Sequence, residues 1–203
     1  MARLLLLRHG QSEWNAQGRW QGQADPPLTA HGEEQARLAG QWLVGHGFTG
    51  AVASPLQRAR RTAELIAEVL GLPPPEVEPD LSERDVGDWS GLTVDQINER
   101  WPGQLERWRH GKLSERPPNG EFEPDFRRRV MATVHRLVDR PDDEVLLVVT
   151  HGGVIHAVGD ELGGGWRGIM NLHGAWVEHG PAAGLQVRPP EGDEMHAAET
   201  VVL

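Results

Sequence analysis

The stretch "RLLLLRHGQSEWN", Arg3–Asn15, carries an unbroken apolar run, Leu4 to Leu7, that ends in Arg8, His9 and Gly10. Far along the chain, "VLLVVTHGG", Val145–Gly153, repeats the design with His151 and Gly152. Short continuous apolar runs are the pattern of strands buried on both faces, as in parallel sheets. Ligands of such sheets bind outside the carboxyl ends of the strands. If both runs lie in one parallel sheet, His9 and His151 emerge at the same edge, and the glycine after each lets backbone approach a ligand. A histidine at a strand end is ordinarily just a hydrogen-bonded residue. Two with the same local grammar point to a site.

A third strand is expected at Gly50–Ala53, with helical patterns between the strands. Thr29 can cap a helix whose one face carries Ala36, Ala39 and Leu43. Ser54-Pro55 reads as an N-cap with a first-position proline, opening a helix through Leu70 that Gly71 and Pro73–Pro75 stop. Thr93 can cap a short helix with Val94, Ile97 and Trp101 on one side. Phe122, Phe126, Val130, Val134 and Leu137 form a long amphipathic stripe, and a last helix starts near Gly153 with Val154, Val158 and Leu162. Ala175–Val177, Leu185–Val187 and Val201–Leu203 are candidate late strands. The alternation implies an α/β protein: a three-layer α/β/α domain over residues 1–203 with a mostly parallel central sheet. Trp101–Gly120, "WPGQLERWRHGKLSERPPNG", reads as a cap over a pocket in preference to a linker, within a small helical cap insertion at about 92–121.

Composition narrows the function. The chain has 203 residues, 20 basic against 30 acidic, for a net charge of −10. Neither nucleic acid nor an anionic membrane surface is an expected partner. No cysteine is present, which excludes disulfides and thiol nucleophiles. No N-terminal signal is visible and the leucine run is too short for one, so a cytoplasmic location is expected. Lys112 is the one lysine, so a given arginine is weaker functional evidence here than usual.

Charged residues nevertheless converge on the proposed edge. In "SPLQRARRTA", Arg58 lies about one turn inside a helix that starts at a strand's carboxyl end, with Thr62 one turn further on, while Arg60 and Arg61 point elsewhere into solvent. Arg8, Arg58 and the two histidines make an anion pocket, to which the arginine fork is suited. "LSERDVGDWSGLT", Leu81–Thr93, offers Glu83, Asp85 and Asp88 as acids that can protonate a leaving alkoxide. The residues alone leave the choice among the three open.

Taken in order, Arg8-His9-Gly10 with Asn15, "GRWQGQADPPLTAHGEEQA", "SPLQRARRTA", "LSERDVGDWSG" and "THGG" resemble the histidine phosphatase superfamily, the phosphoglycerate-mutase-like proteins, from about Arg3 to Leu162, with an outlying hint at "NLHGAW", Asn171–Trp176. The resemblance implies His9 as the phosphorylated nucleophile, Arg8, Arg58 and His151 as ligands of the phosphoryl oxygens, and Glu83 as the proton donor that then activates water. It suggests Asn15 as a further phosphate contact and Gln21 and Gly22 as a loop lining the substrate side; local turn hydrogen bonding is an equal reading of Asn15 and Gln21. It implies hydrolysis of a phosphomonoester through a phosphohistidine on a small metabolite, such as a carbohydrate or glycerate phosphate. No metal or other cofactor is expected, since arginine and histidine supply the positive charge.

Two alternatives stand beside that reading: a cofactor-dependent phosphoglycerate mutase, and a non-catalytic module that binds a phospho-ligand. "GDWSG" and "QGQADPPLT" look more like the phosphatase branch. The cap lacks the adjacent arginine pair of mutases, with Trp108 between Arg107 and Arg109, while "NGEF", Asn119–Phe122, departs from the Gly-Gly-Glu-Ser of phosphatases. Arg107, Arg109, Lys112 and Arg116 read as a solvated face or as partners for a second acidic group on the substrate. Trp89, Trp101 and Trp108 read as packing before they read as a sugar platform. The oligomeric state is not legible, and a homodimer stays open.

Overall fold

A computed structural model describes residues 1–109, 116–163, 169–180 and 184–188. The strands are β1 (Arg3–Arg8), β2 (Gly50–Ala53), β3 (Glu76–Val77), β4 (Val145–Thr150), β5 (Gly174–Gly180) and β6 (Gly184–Arg188). The helices are α1 (Glu13–Ala16), α2 (Ala30–Trp42), α3 (Gln57–Leu70), α4 (Val94–Arg100), α5 (Gln104–Arg109), α6 (Glu123–Val138) and α7 (Gly152–Glu161). The sheet order is β3-β2-β4-β1-β5-β6. The first four of these strands are mutually parallel; β5 and β6 add an antiparallel edge.

The apolar runs form the centre because strand side chains alternate between faces and both faces here are covered. Leu4, Leu6, Leu146 and Val148 pack with Phe126, Val130 and Val134 of α6 and Val154 and Val158 of α7. Leu5, Leu7, Leu147 and Val149 pack against Ala36 and Ala39 of α2 and Ala59, Ala63 and Ile66 of α3. The result is the expected α/β/α sandwich. A separate apolar cluster of Val86, Trp89, Ile97 and Leu105 lies beside it, with Trp20, Trp101 and Trp108 packed on it.

Local structure follows the sequence in most places. Thr29 caps α2 by accepting the Gly32 N–H, Thr93 caps α4 in a reciprocal capping box with Gln96, and Gly71 closes α3 in a left-handed conformation, φ 68°. Three expectations need correction. The N-cap of α3 is Leu56, not Ser54, because the Ser54 hydroxyl serves the site described below. Phe122 is the N-cap of α6 and 41% exposed, outside the buried stripe. The edge strand β3 was not foreseen; two residues after a proline run leave no periodicity to read. The proposed strand Val201–Leu203 lies outside the described residues. Among the described residues no helix is long and apolar enough to cross a membrane.

Register positions the site. Arg8 pairs with Thr150, and the His9 N–H donates to the Thr150 carbonyl at 3.0 Å, so His9 and His151 each stand one residue beyond the same rung. Ala53 pairs with Val149, which brings Ser54 to the same edge. The turn after His9 is then stapled to the start of α2. Thr29 donates its backbone N–H to the Gln11 carbonyl at 3.0 Å, and Gln11 donates to the Gln35 side chain at 2.9 Å. Here two backbones touch: a Cβ on Gly32 would lie 2.0 Å from the Gln11 carbonyl oxygen. Helix propensity alone makes Gly32→Ala stabilising by about 1 kcal/mol. The clash instead predicts a loss of about 1–3 kcal/mol, read as a lower urea midpoint.

Candidate active site

His9 is 2% exposed, at the end of β1. Its Nδ1 lies 2.7 Å from its neighbour's carbonyl, Gly10 O, which can only accept. Nδ1 is therefore the protonated nitrogen, and the Nε2 lone pair is free to act as a base or nucleophile. In the structure Arg58 Nε donates to that Nε2 at 3.2 Å. Asn171 donates to the His9 carbonyl at 2.8 Å, and Thr62 Oγ1 accepts the Gly10 N–H at 3.1 Å. The His9 ring and its backbone are thus fixed by a neighbour on each side.

His151 is fully buried, with its ring edge-on to His9 and 5.2 Å away between centroids. Its Nε2 meets Ser54 Oγ at 2.7 Å, while Ser54 Oγ accepts the Leu56 N–H at 3.3 Å. Among the described residues, His151 Nδ1 and Arg8 Nε are buried side-chain nitrogens without a hydrogen-bond partner. Buried polar atoms are normally paired. An oxyanion between the strand ends would supply both missing acceptors.

The arginines are held by carbonyls. Arg58 donates to Gly22 O at 2.8 Å and Ala24 O at 2.7 Å; Arg8 donates to Ile169 O. Neutral acceptors fix their geometry without cancelling their charge. Burial lowers the pKa of Arg8, with the nearby Glu83 charge opposing, and brings Arg58 down to about 10, opposed by Glu83 and Asp25. Both remain protonated at neutral pH. Burial first, then the Arg58 and Arg8 charges, hold His9 well below the ordinary imidazole value, against the Gly10 hydrogen bond. Burial, Arg58, His9 and Arg8 do the same for His151.

Of the three acids left open by the sequence, Glu83 alone reaches this cleft. It accepts the Arg84 N–H at 2.8 Å and the Gly153 N–H, at the start of α7, at 3.1 Å. A Cβ on Gly153 would sit 2.2 Å from Glu83 Oε1, which explains the second glycine of "THGG". Asp85 is occupied by the Gly87 N–H, and Asp88 by the Asn119 amide. Arg60 and Arg61 are in exposed ion pairs with Glu64 and Glu33.

The cleft, ≈ 1220 Å³, is lined by Arg8, His9, Arg58 and Glu83, and by Asn15, Gln21 and Gly22. Asn15 and Gln21 are also engaged locally: Asn15 Oδ1 accepts from the Ser12 N–H and from Asn171, and Gln21 Oε1 accepts from the Ser12 hydroxyl. Gly22 contributes its carbonyl to Arg58. Further out, Trp20, Trp108 and Arg109 join the wall. Trp20, Trp89 and Trp108 pack edge to face, 5.4–5.7 Å apart. Trp89 is fully buried, so packing is its role. Arg116 stacks on Phe122 at 4.2 Å, and Lys112 lies outside the described residues.

Sequence reasoning did not assign Ser54 or Asn171. Ser54 was masked by its resemblance to a helix cap. Asn171 carried one signal, its place in "NLHGAW" beyond the main match.

The family model for the histidine phosphatase superfamily (branch 1) matches residues 4–174. The chain is 36% identical over 165 residues to an uncharacterized phosphatase, PhoE, of Bacillus subtilis (strain 168), covering 81% of this chain and 79% of that one. It is 42% identical over 209 residues to a 2,3-bisphosphoglycerate-dependent phosphoglycerate mutase of Methylobacterium sp. (strain 4-46), covering 99% and 95%. A mycobacterial glucosyl-3-phosphoglycerate phosphatase, solved in complex with VO3, superposes with a TM-score of 0.81 at 31% identity, over 92% of this chain and 97% of that one.

The neutral imidazoles have a measurable consequence. In the unfolded chain histidine titrates near pH 6.5. Below that, the unfolded state binds protons that native His9 and His151 refuse, so stability is full above about pH 6.5 and declines as pH falls toward the lowered native values. The melting temperature of the ligand-free protein should fall between about pH 7 and 5.5, and His151→Gln should flatten that slope.

Proposed function

The chain belongs to the histidine phosphatase superfamily, branch 1, and we propose that this member is a phosphomonoesterase that hydrolyses a small phosphorylated metabolite through a phosphohistidine on His9. One observation carries the reading. The His9 Nδ1–Gly10 contact leaves Nε2 unprotonated inside a pocket whose Arg8 and His151 nitrogens lack acceptors.

The steps follow from the residues. The phosphoryl group sits among Arg8, Arg58 and His151, with the Arg58 Nε–H turning from His9 to a phosphoryl oxygen. His9 Nε2 attacks phosphorus as the ester P–O bond breaks, and Glu83 gives its proton to the departing oxygen. Fixed cations stabilise the charge on the equatorial oxygens, a contribution of about 10³-fold or more in comparable systems. The Glu83 carboxylate then takes a proton from water as its oxygen attacks the phosphohistidine. The P–N bond breaks, inorganic phosphate leaves, and His9 returns to its neutral tautomer.

The cleft is larger than a phosphoryl group needs, and Trp20, Trp108 and Arg109 stand at its outer wall. These features favour a carbohydrate or glycerate phosphate as substrate, and the likeness to a glucosyl-3-phosphoglycerate phosphatase supports that choice. The acidic charge and the cysteine-free chain suit a cytoplasmic enzyme acting on a soluble metabolite.

His9→Ala should abolish both labelling by a phosphate-labelled ester and hydrolysis of p-nitrophenyl phosphate. Label retained in that variant would remove His9 from its role, and turnover absent from the wild type as well would favour a binding module. The mutase reading has its own support in the 42% identity to a mutase along nearly the whole chain. With 3-phosphoglycerate and catalytic 2,3-bisphosphoglycerate, the expected product is inorganic phosphate; 2-phosphoglycerate as the main product would establish a mutase instead.

A further inference from the structure

Glu121, in the "NGEF" segment that departs from the phosphatase pattern, lies outside the chemistry above, yet its carboxylate is held with unusual completeness. Arg129 of α6 donates to Glu121 Oε1 from Nε at 2.8 Å and to Oε2 from a terminal nitrogen at 3.0 Å. The remaining donors of the same guanidinium reach three backbone carbonyls of one short loop: Asp80 O at 2.6 Å, Ser82 O at 2.8 Å and Glu83 O at 3.1 Å. Glu121 closes the clamp from its own side. Its Oε2 accepts the Asp85 N–H at 3.2 Å, and its backbone N–H donates to Asp85 O at 2.9 Å. Arg129 is planar and packs over the Phe126 ring at 4.9 Å, so it cannot swing. The loop spanning Asp80 to Asp85 is thereby tied to α6 on both sides of Glu83.

We propose that Arg129 and Glu121 are positioning residues for the reaction: together they set the height of the Glu83 carboxyl above the phosphoryl pocket. The proposal rests on the reading of Glu83 as proton donor. A loop carbonyl is a weak handle on a side chain unless the whole loop is fixed, and one guanidinium bonded to the carbonyls of Asp80, Ser82 and Glu83 fixes it. Five donors in a rigid plane do this; the single ammonium of lysine cannot. The conserved charge of a lysine therefore separates geometry from electrostatics.

The test compares Arg129→Lys, Glu121→Gln and Glu83→Gln in the full chain, on p-nitrophenyl phosphate and on an alkyl phosphate such as glycerol phosphate. The first ester leaves without protonation, the second requires it. Arg129→Lys should lower kcat/KM on the alkyl ester by about tenfold more than on the aryl ester, consistent with the cost of small misplacements. Glu121→Gln should shift the ratio in the same direction by less, and inhibition by inorganic phosphate should be unchanged in both. A merely structural role would lower both substrates alike. Equal losses in Arg129→Lys and Glu121→Gln, with Glu83→Gln discriminating, overturn the clamp. If Glu83→Gln itself fails to discriminate, the proton-donor reading falls and takes the clamp with it. Should Arg129→Lys fail to fold, judged by circular dichroism, Glu121→Gln alone decides.

Discussion

The parallel pairing of β1 with β4 is the constraint from which the site follows. It aligns Arg8 with Thr150, and the next residue on each strand is a histidine. Strands pair about 4.8 Å apart, so the two rings have to meet; they lie 5.2 Å apart. A slip of one residue would turn every leucine and valine of the runs to the opposite face and separate the histidines along the edge. The core and the active site therefore share one register. Hydrophobic burial against α2, α3, α6 and α7 is what holds the two rings together.

Burying two guanidinium groups beside two imidazoles is unfavourable unless something compensates. Carboxylates would be the simplest compensation, but they would also neutralise the pocket. Arg58 is instead satisfied by the carbonyls of Gly22 and Ala24, and Arg8 by that of Ile169. Glu83 supplies part of the balancing charge from a distance. Burial first, and then the same uncancelled cations, keep His9 and His151 neutral. One arrangement thus prepares a cationic pocket and a neutral His9 imidazole.

The sequence made the frame legible because the frame rests on repeated, local signals. The two apolar runs, Thr29 and Thr93 as caps, and Gly71 as a stop each act within a few residues. His9, Arg8, Arg58 and His151 were legible because each sits at a strand end or one helical turn beyond it. What stayed hidden was interaction at long range. Ser54 meets His151 across 97 positions and Asn171 meets His9 across 162, and no local periodicity reveals either contact. Composition and spacing leave Glu83, Asp85 and Asp88 equivalent, as acids in one turn-rich segment, and only the resemblance favours Glu83; hydrogen bonding then sets the three apart. The opening of α3 was misread because Ser54 answers both a local rule and a distant demand, and the distant one prevailed.

Charge acts on two scales in this protein. The net −10 surrounds a cationic pocket. At physiological salt the Debye length is about 8 Å, so the acidic surface repels polyanions as they approach, while a small ester that has entered the cleft feels mainly Arg8 and Arg58. The outer wall of the cleft is built differently from the inner one. Trp20 and Trp108 belong to the satellite cluster of Trp89, Ile97 and Leu105, not to the core beneath the sheet. Substitutions there can reshape the room for the leaving group without disturbing the β1–β4 register. The two histidines are thus anchored to the sheet, while the aromatic outer wall is anchored to a separate small core, so either can change without moving the other.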